Sequence, residues 1–213
     1  MFETETIKTP ARAGLTLLLL ASCYLLAPAA QADGDPEAGK QRAITCAACH
    51  GADGNSVNPE WPTLAGQNER YFKETMQAFK TGKRSNPLMT AQAMLLNETE
   101  IENLAAYYAT QTANQRTADP ELAARGESLY RGGDKSKGIS ACIACHGPTG
   151  RGNAPAGYPQ LTGQHATYTA KQLNDYKSGA RTSDGERQIM RNITAQLTSE
   201  QINAVAAYIQ GLR

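Results

Sequence analysis

Cys46-Ala47-Ala48-Cys49-His50 recurs as Cys142-Ile143-Ala144-Cys145-His146, and no other feature constrains the chain as much. Two thiols three residues apart lie on one helical turn, where they can add to the two vinyl groups of one haem. The histidine that follows then lies under the porphyrin plane and turns a ring nitrogen to the iron. C-x-x-C-H is the attachment pattern for c-type haem. Two matches in a chain with three histidines make it a specific signal. A zinc ribbon would need its cysteine pairs roughly 15–20 residues apart, whereas these are 96 apart. A thioredoxin-like dithiol belongs beside a βαβ pattern, which is missing. A disulfide framework gives no reason for a histidine after each pair.

Length and charge set the frame for two such sites. The 213 residues carry a net charge of +1 and are 40% apolar, with few aromatics. Two domains of about 90 residues would each be marginal on side chains alone, and a buried haem in each supplies missing apolar volume. The near-neutral charge argues against a nucleic-acid partner. The first 32 residues read as an export signal. Lys8 and Arg12 precede an apolar run from Leu15 to Leu26, and Ala30-Gln31-Ala32 forms an A-x-A cleavage pattern that leaves Asp33 first. The run is short for a membrane span. Leu20-Ala21-Ser22-Cys23 also resembles a lipoprotein processing site, with Cys23 as the lipidated residue. The apolar residues beyond Cys23 favour cleavage at Ala32. Either route predicts a periplasmic protein.

The rest is a tandem repeat, read as all-α and divided at 33–118 and 119–213. Asp35-Pro36-Glu37 and Asp119-Pro120-Glu121 each predict an Asp-capped helix with Pro in its first turn. That helix leads to the haem motif, and the second copy carries an insertion around Gly132 to Gly138 that reads as a surface loop. Gly51, Gly54, Pro62, Leu64, Gly66 and Gln67 match Gly147, Gly150, Pro159, Leu161, Gly163 and Gln164. A middle helix follows, with Phe72, Met76 and Phe79 on one face and Leu173 and Tyr176 in the other copy. Gly82 and Gly179 stand where a C-terminal cap belongs. Each copy closes with an amphipathic helix behind a capping box, Asn97-x-x-Glu100 and Thr198-x-x-Gln201. Ile101, Leu104, Ala105 and Tyr108 follow helical spacing, as do Ile202, Val205, Ala206 and Ile209. A linker is expected from Gln111 to Ala118.

The repeat also selects a second axial ligand for each iron. With Ile101 aligned to Ile202, a methionine stands twelve residues upstream of each: Met89 and Met190. Met94 pairs with Ala195 and remains a local rival to Met89. Met76 pairs with Leu173 and reads as core. His165 pairs with Asn68, so it is no ligand common to both copies, and it is expected partly exposed near a helix start. His50 with Met89 and His146 with Met190 would fill both axial positions, raise the potential and leave no open site for oxygen or peroxide. This favours electron transfer over catalysis. Pro62 lies twelve residues after His50 and Pro159 thirteen after His146, where a backbone carbonyl could accept the histidine ring N–H; both residues can equally be ordinary turn prolines.

With these residues in view, the sequence resembles the cytochrome c4 family, dihaem periplasmic proteins built from two class I cytochrome c domains. The resemblance spans residues 33–213. It rests on both C-x-x-C-H motifs, on Trp61-Pro62-Thr63-Leu64-Ala65-Gly66-Gln67 and Tyr158-Pro159-Gln160-Leu161-Thr162-Gly163-Gln164, and on Leu104-Ala105-Ala106-Tyr107-Tyr108 and Val205-Ala206-Ala207-Tyr208-Ile209. It implies two covalent haem c groups, one on Cys46 and Cys49 with axial His50 and Met89, the other on Cys142 and Cys145 with axial His146 and Met190. It implies that the Pro62 and Pro159 carbonyls hold the histidines. It further implies an electron carrier, not an enzyme, working between a cytochrome bc complex and a haem–copper terminal oxidase, with loose membrane association in some members. An alternative is the haem subunit of a periplasmic flavoprotein dehydrogenase of the sulfide-oxidising type. A dihaem peroxidase would need a releasable axial position and a longer chain. Residues 33–119 carry a net charge of −3 and residues 120–213 carry +4, a polarity that predicts an acidic partner for the second domain.

Overall fold

The computed structural model describes residues 34–213, together with Met1. The expected signal segment and Cys23 lie outside the described residues. Among the described residues there are helices, one 3-10 turn and isolated β-bridges but no strand, so the all-α expectation holds. No described helix is long and apolar enough to cross a membrane.

The first domain contains α1 (Pro36–His50), α2 (Glu69–Lys80), α3 (Pro87–Met94) and α4 (Glu98–Thr110). Asp35 caps α1 through the Glu37 and Ala38 amides, and Pro36 occupies the first turn, where its missing N–H costs nothing. The Asn97–Glu100 capping box opens α4 as the sequence predicts. Phe72, Met76, Phe79, Ile101, Leu104 and Tyr108 form the core, which confirms Met76 as packing.

The second domain contains α5 (Pro120–Gly132), α6 (Ile143–His146), α7 (Ala166–Lys177), α8 (Ile189–Ala195) and α9 (Ser199–Gly211). Asp119 and Pro120 start α5, and the Thr198–Gln201 capping box starts α9. Leu129, Tyr130, Ile139, Ile202, Val205 and Ile209 form its core.

In both domains the first and last helices cross at a glycine. A Cβ on Gly39 would stand 2.0 Å from the Asn103 carbonyl oxygen, and one on Gly126 would stand 2.0 Å from that of Ala204. Those two glycines are therefore equivalent, and they locate the insertion. Cys46 lies seven residues after Gly39 and Cys142 sixteen after Gly126. The first haem motif thus ends one uninterrupted helix. In the second domain the helix stops at Gly133, which has φ 67°. The chain then makes a 3-10 turn at Lys135–Lys137 before the single-turn α6 carries the motif.

The linker is tied down along its length. The Asn114 amide donates to Asn55 Oδ1 at 2.8 Å, the Arg116 guanidinium donates to the carbonyls of Gly163 at 3.0 Å and Ser56 at 2.8 Å, and Gln210 donates to the Thr117 carbonyl at 2.6 Å. These bonds reach both domains, so the segment is a strap between them.

Candidate functional site

Each C-x-x-C-H motif ends a helix, and the chain leaves it through a glycine, Gly51 at φ 82° or Gly147 at φ 76°. A side chain is strained in that region of backbone space, and the sharp exit keeps the histidine on the last turn. Cys46, Cys142 and Cys145 are half-buried and Cys49 is exposed, and no disulfide joins any of the four. The zinc alternative would need both pairs in one place. No group of three or more His, Cys, Asp or Glu able to hold a metal occurs among the described residues.

His50 and His146 are buried. His50 Nδ1 lies 2.9 Å from the Pro62 carbonyl oxygen, and His146 Nδ1 lies 3.0 Å from that of Pro159. A carbonyl only accepts, so Nδ1 carries the proton in each ring and Nε2 keeps its lone pair. Burial pushes both imidazoles below their ordinary pKa, against the opposing pull of the carbonyl bonds. Each ring is therefore neutral, oriented and able to bind a metal through Nε2. The two halves use the same construction.

The methionines are placed differently. Met89 is half-buried against the first core, alongside Cys46 and Leu64. Asn86 caps α3 by accepting from the Met89 amide at 3.0 Å. Met190 is half-buried on the first turn of α8. The loop before it is held by Asp184, which accepts from the Arg191 amide at 2.9 Å and from its Nε at 2.8 Å. Gln188, the residue before α8, has φ 50°. Met94 is 62% exposed.

His165 departs from expectation. It does precede a helix, α7, but it is buried, not partly exposed. Its Nε2 lies 2.9 Å from the Ser56 carbonyl of the first domain. Docking of the two domains covers it, a fact that neighbours in sequence do not reveal.

Residues that the sequence reading left without a role surround a pseudo-twofold contact between the domains. Arg84 and Arg181 occupy equivalent repeat positions, as do Tyr71 and Tyr168. Arg181 donates to the Tyr71 hydroxyl at 2.9 Å, and Arg84 donates to the Tyr168 hydroxyl. Both arginines also reach Gln172 Oε1 at 2.8 Å. Both are buried, and neither is in a salt bridge with a carboxylate among the described residues. Burial pushes the Tyr71 phenol up, but Arg181 and Arg84 overcome it and bring it down to about 8. The repeat alignment contained the signal for this cluster, since both Arg and both Tyr match across copies.

The residues fit haem. Paired cysteines outside any disulfide precede a neutral imidazole with an available Nε2, and two buried guanidiniums lack the anionic partners that haem carboxylates offer.

Comparison with known proteins agrees. The cytochrome c family model matches residues 36–112 and 123–213. Cytochrome c4 of Pseudomonas aeruginosa is 50% identical over 183 residues, covering 86% of this chain and 91% of the relative. The thiosulfate dehydrogenase electron acceptor of Thiomonas intermedia is 36% identical, covering 94% of this chain and 91% of that protein. The crystal structure of reduced recombinant cytochrome c4 from Pseudomonas stutzeri matches with a TM-score of 0.82 at 46% identity, covering 84% of this chain and 100% of that one. Two cytochrome c domains, one with the Cys46/Cys49 motif and one with Cys142/Cys145, carry two covalent haem c groups. The chain belongs to the cytochrome c4 family of dihaem electron carriers.

Proposed function

We propose that His50 with Met89 and His146 with Met190 are the two axial pairs, and that the protein carries electrons in the periplasm from a cytochrome bc complex towards a haem–copper terminal oxidase. The proposal includes removal of residues 1–32 and domains at 33–118 and 119–213. The bound group supplies one reversible Fe(III)/Fe(II) couple per domain. The chain's own residues do the rest. The Pro62 and Pro159 carbonyls hold the imidazoles in one tautomer, so no proton needs to move at Nδ1 when an electron arrives. The paired cores exclude water from the buried rings. The observation that carries this reading is the duplicated histidine–proline carbonyl bond, 2.9 Å in one half and 3.0 Å in the other. Support for Met89 over Met94 comes from burial, since Met94 is exposed and Met89 packs on the core.

An optical redox titration that follows the near-infrared thioether–iron band tests the ligand set. The band should amount to two thioether ligations per molecule, and Met89→Ala and Met190→Ala should each remove half of it. A Met94→Ala variant that removes half, with Met89→Ala leaving it whole, would reassign the first ligand.

A second reading has the chain accept electrons directly from a dehydrogenase, including a flavoprotein of the sulfide-oxidising type. It draws support from the relative in Thiomonas intermedia, whose name is thiosulfate dehydrogenase electron acceptor and whose length is almost fully matched. Co-purification with a flavoprotein would favour this reading. The +4 balance of residues 120–213 supports docking of the second domain on an acidic partner. The association rate should then fall as ionic strength rises.

A further inference from the structure

The peptide groups that hold the two histidines are themselves held, each from the opposite domain. The Pro62–Thr63 peptide accepts the His50 Nδ1–H through its carbonyl at 2.9 Å. Its N–H donates to Gln164 Oε1 in the second domain, also at 2.9 Å. The Pro159–Gln160 peptide accepts from His146 at 3.0 Å, and its N–H donates to Gln67 Oε1 in the first domain at 2.9 Å. Gln67 and Gln164 are repeat equivalents, both buried. Each also donates through Nε2 to the next carbonyl, Gln67 to Gln160 at 3.0 Å and Gln164 to Thr63 at 3.1 Å. One amide side chain therefore clamps both backbone groups of the residue after the proline. Glutamine suits this position because it offers an acceptor and a donor on one planar head.

We infer that Gln67 and Gln164 are positioning residues that set, across the domain boundary, the electron donation of the opposite domain's proximal histidine. An amide that donates through N–H gains negative charge on its oxygen. Hydrogen bonds in series strengthen one another by about 10–30% each in a low-dielectric interior. A stronger carbonyl acceptor draws on the Nδ1–H and raises the basicity of the ring. A more basic imidazole favours Fe(III) over Fe(II). Each glutamine thus lowers the potential of the haem it does not share a domain with, and docking of the domains becomes part of the redox tuning. No proton or electron crosses this relay; it only polarises. The inference rests on His50 and His146 being the proximal ligands.

The test is a crossed one, made on the holoprotein. The two haem potentials are read separately from the paramagnetically shifted haem methyl resonances during oxidation. Gln164→Met, which keeps bulk but removes the acceptor, should favour Fe(II) at the first-domain haem by about threefold, roughly 30 mV at 59 mV per tenfold. The second-domain haem should stay put. Gln67→Met should do the reverse. Arg70→Ala deletes a different bond between the domains, Arg70 to the Pro155 carbonyl at 2.6 Å, and should shift neither. A shift at the variant's own haem, an equal shift at both, or none at either would overturn the relay. The unaltered, reduced protein gives an independent reading through scalar couplings across the hydrogen bonds from the Thr63 and Gln160 amides to the glutamine side-chain carbonyls. Their presence supports the relay and their absence removes it, even if a variant fails to fold. The near-infrared band separates the two readings. An unaltered protein without histidine–methionine ligation sinks the ligand assignment and the relay together. Intact ligation with unmoved potentials sinks the relay alone.

Discussion

The two halves are alike on the histidine side and unlike on the methionine side. Both histidines end a helix, exit through a positive-φ glycine and bind a proline carbonyl at nearly the same distance. The segments that bring in Met89 and Met190 share little. From Arg84 to Met89 the chain takes five steps and enters α3 through Asn86 and Pro87. From Arg181 to Met190 it takes nine, crosses the strained Gln188 and is anchored by the Asp184–Arg191 pair. The approaches to the cysteines differ as well, one through a continuous helix and the other through an inserted loop. The surfaces also differ. Among the described residues other than Met1, the large apolar side chains left exposed are Ile44, Val57, Leu88, Met94 and Leu95, all in the first domain. The repeat has thus held its geometry where a ring must be neutral and oriented. On the proposed ligand set, it has varied where only the delivery of one methionine matters.

Substitutions in either half test these differences. The largest effect is expected where the halves agree. Gly39→Ala and Gly126→Ala each force a methyl against a backbone carbonyl, and overpacking of that kind costs about 1–3 kcal/mol or more. Denaturation midpoints of the two holoproteins should fall by similar amounts, and a loss in only one would show that the helix crossings are not equivalent. Next comes Asp184→Asn. The Asp184 side chain is 3% exposed and that of Arg191 is 23% exposed. Loss of the pair should cost about 2 kcal/mol, below the value for a fully buried pair because Arg191 keeps some water. With Met190 as the ligand proposed above, the cost should appear as weakened ligation there, with half of the near-infrared band fading in mild denaturant and the other half intact. The smallest effect belongs to Asn86→Ala, which removes the α3 cap for about 1 kcal/mol. It should soften the Met89 half of the same band and spare the Met190 half. If Asp184→Asn and Asn86→Ala moved the same half, the division between the two methionine loops would fail.

Much of the fold was legible because it is written in local chemistry. Asp35, Asn97 and Thr198 cap helices through amides two or three residues away. Ile101, Leu104 and Tyr108 are buried at the spacing of one helical face. The Pro62 and Pro159 carbonyls meet the histidines as the family resemblance implies. The misreading of His165 has the opposite cause, since its partner Ser56 is 109 positions away. The linker likewise reads as a tether in sequence and is a strap in the fold, because Asn55, Ser56 and Gly163 come to it from elsewhere.

Stretches of a few residues were enough to read two haem motifs with their cysteines, the helical class and the repeat. Each of these depends on residues within a few turns of one another, where bond geometry and capping leave few alternatives. The packing of whole domains, by contrast, turned the copies to face each other about a pseudo-twofold axis. It alone set Gln67 and Gln164 on each other's histidine-bearing peptides, and it buried Arg84 and Arg181 among phenols. Those contacts join residues about a hundred positions apart, such as Thr63 and Gln164. The docking of two complete surfaces selects such pairs, and no local periodicity records them.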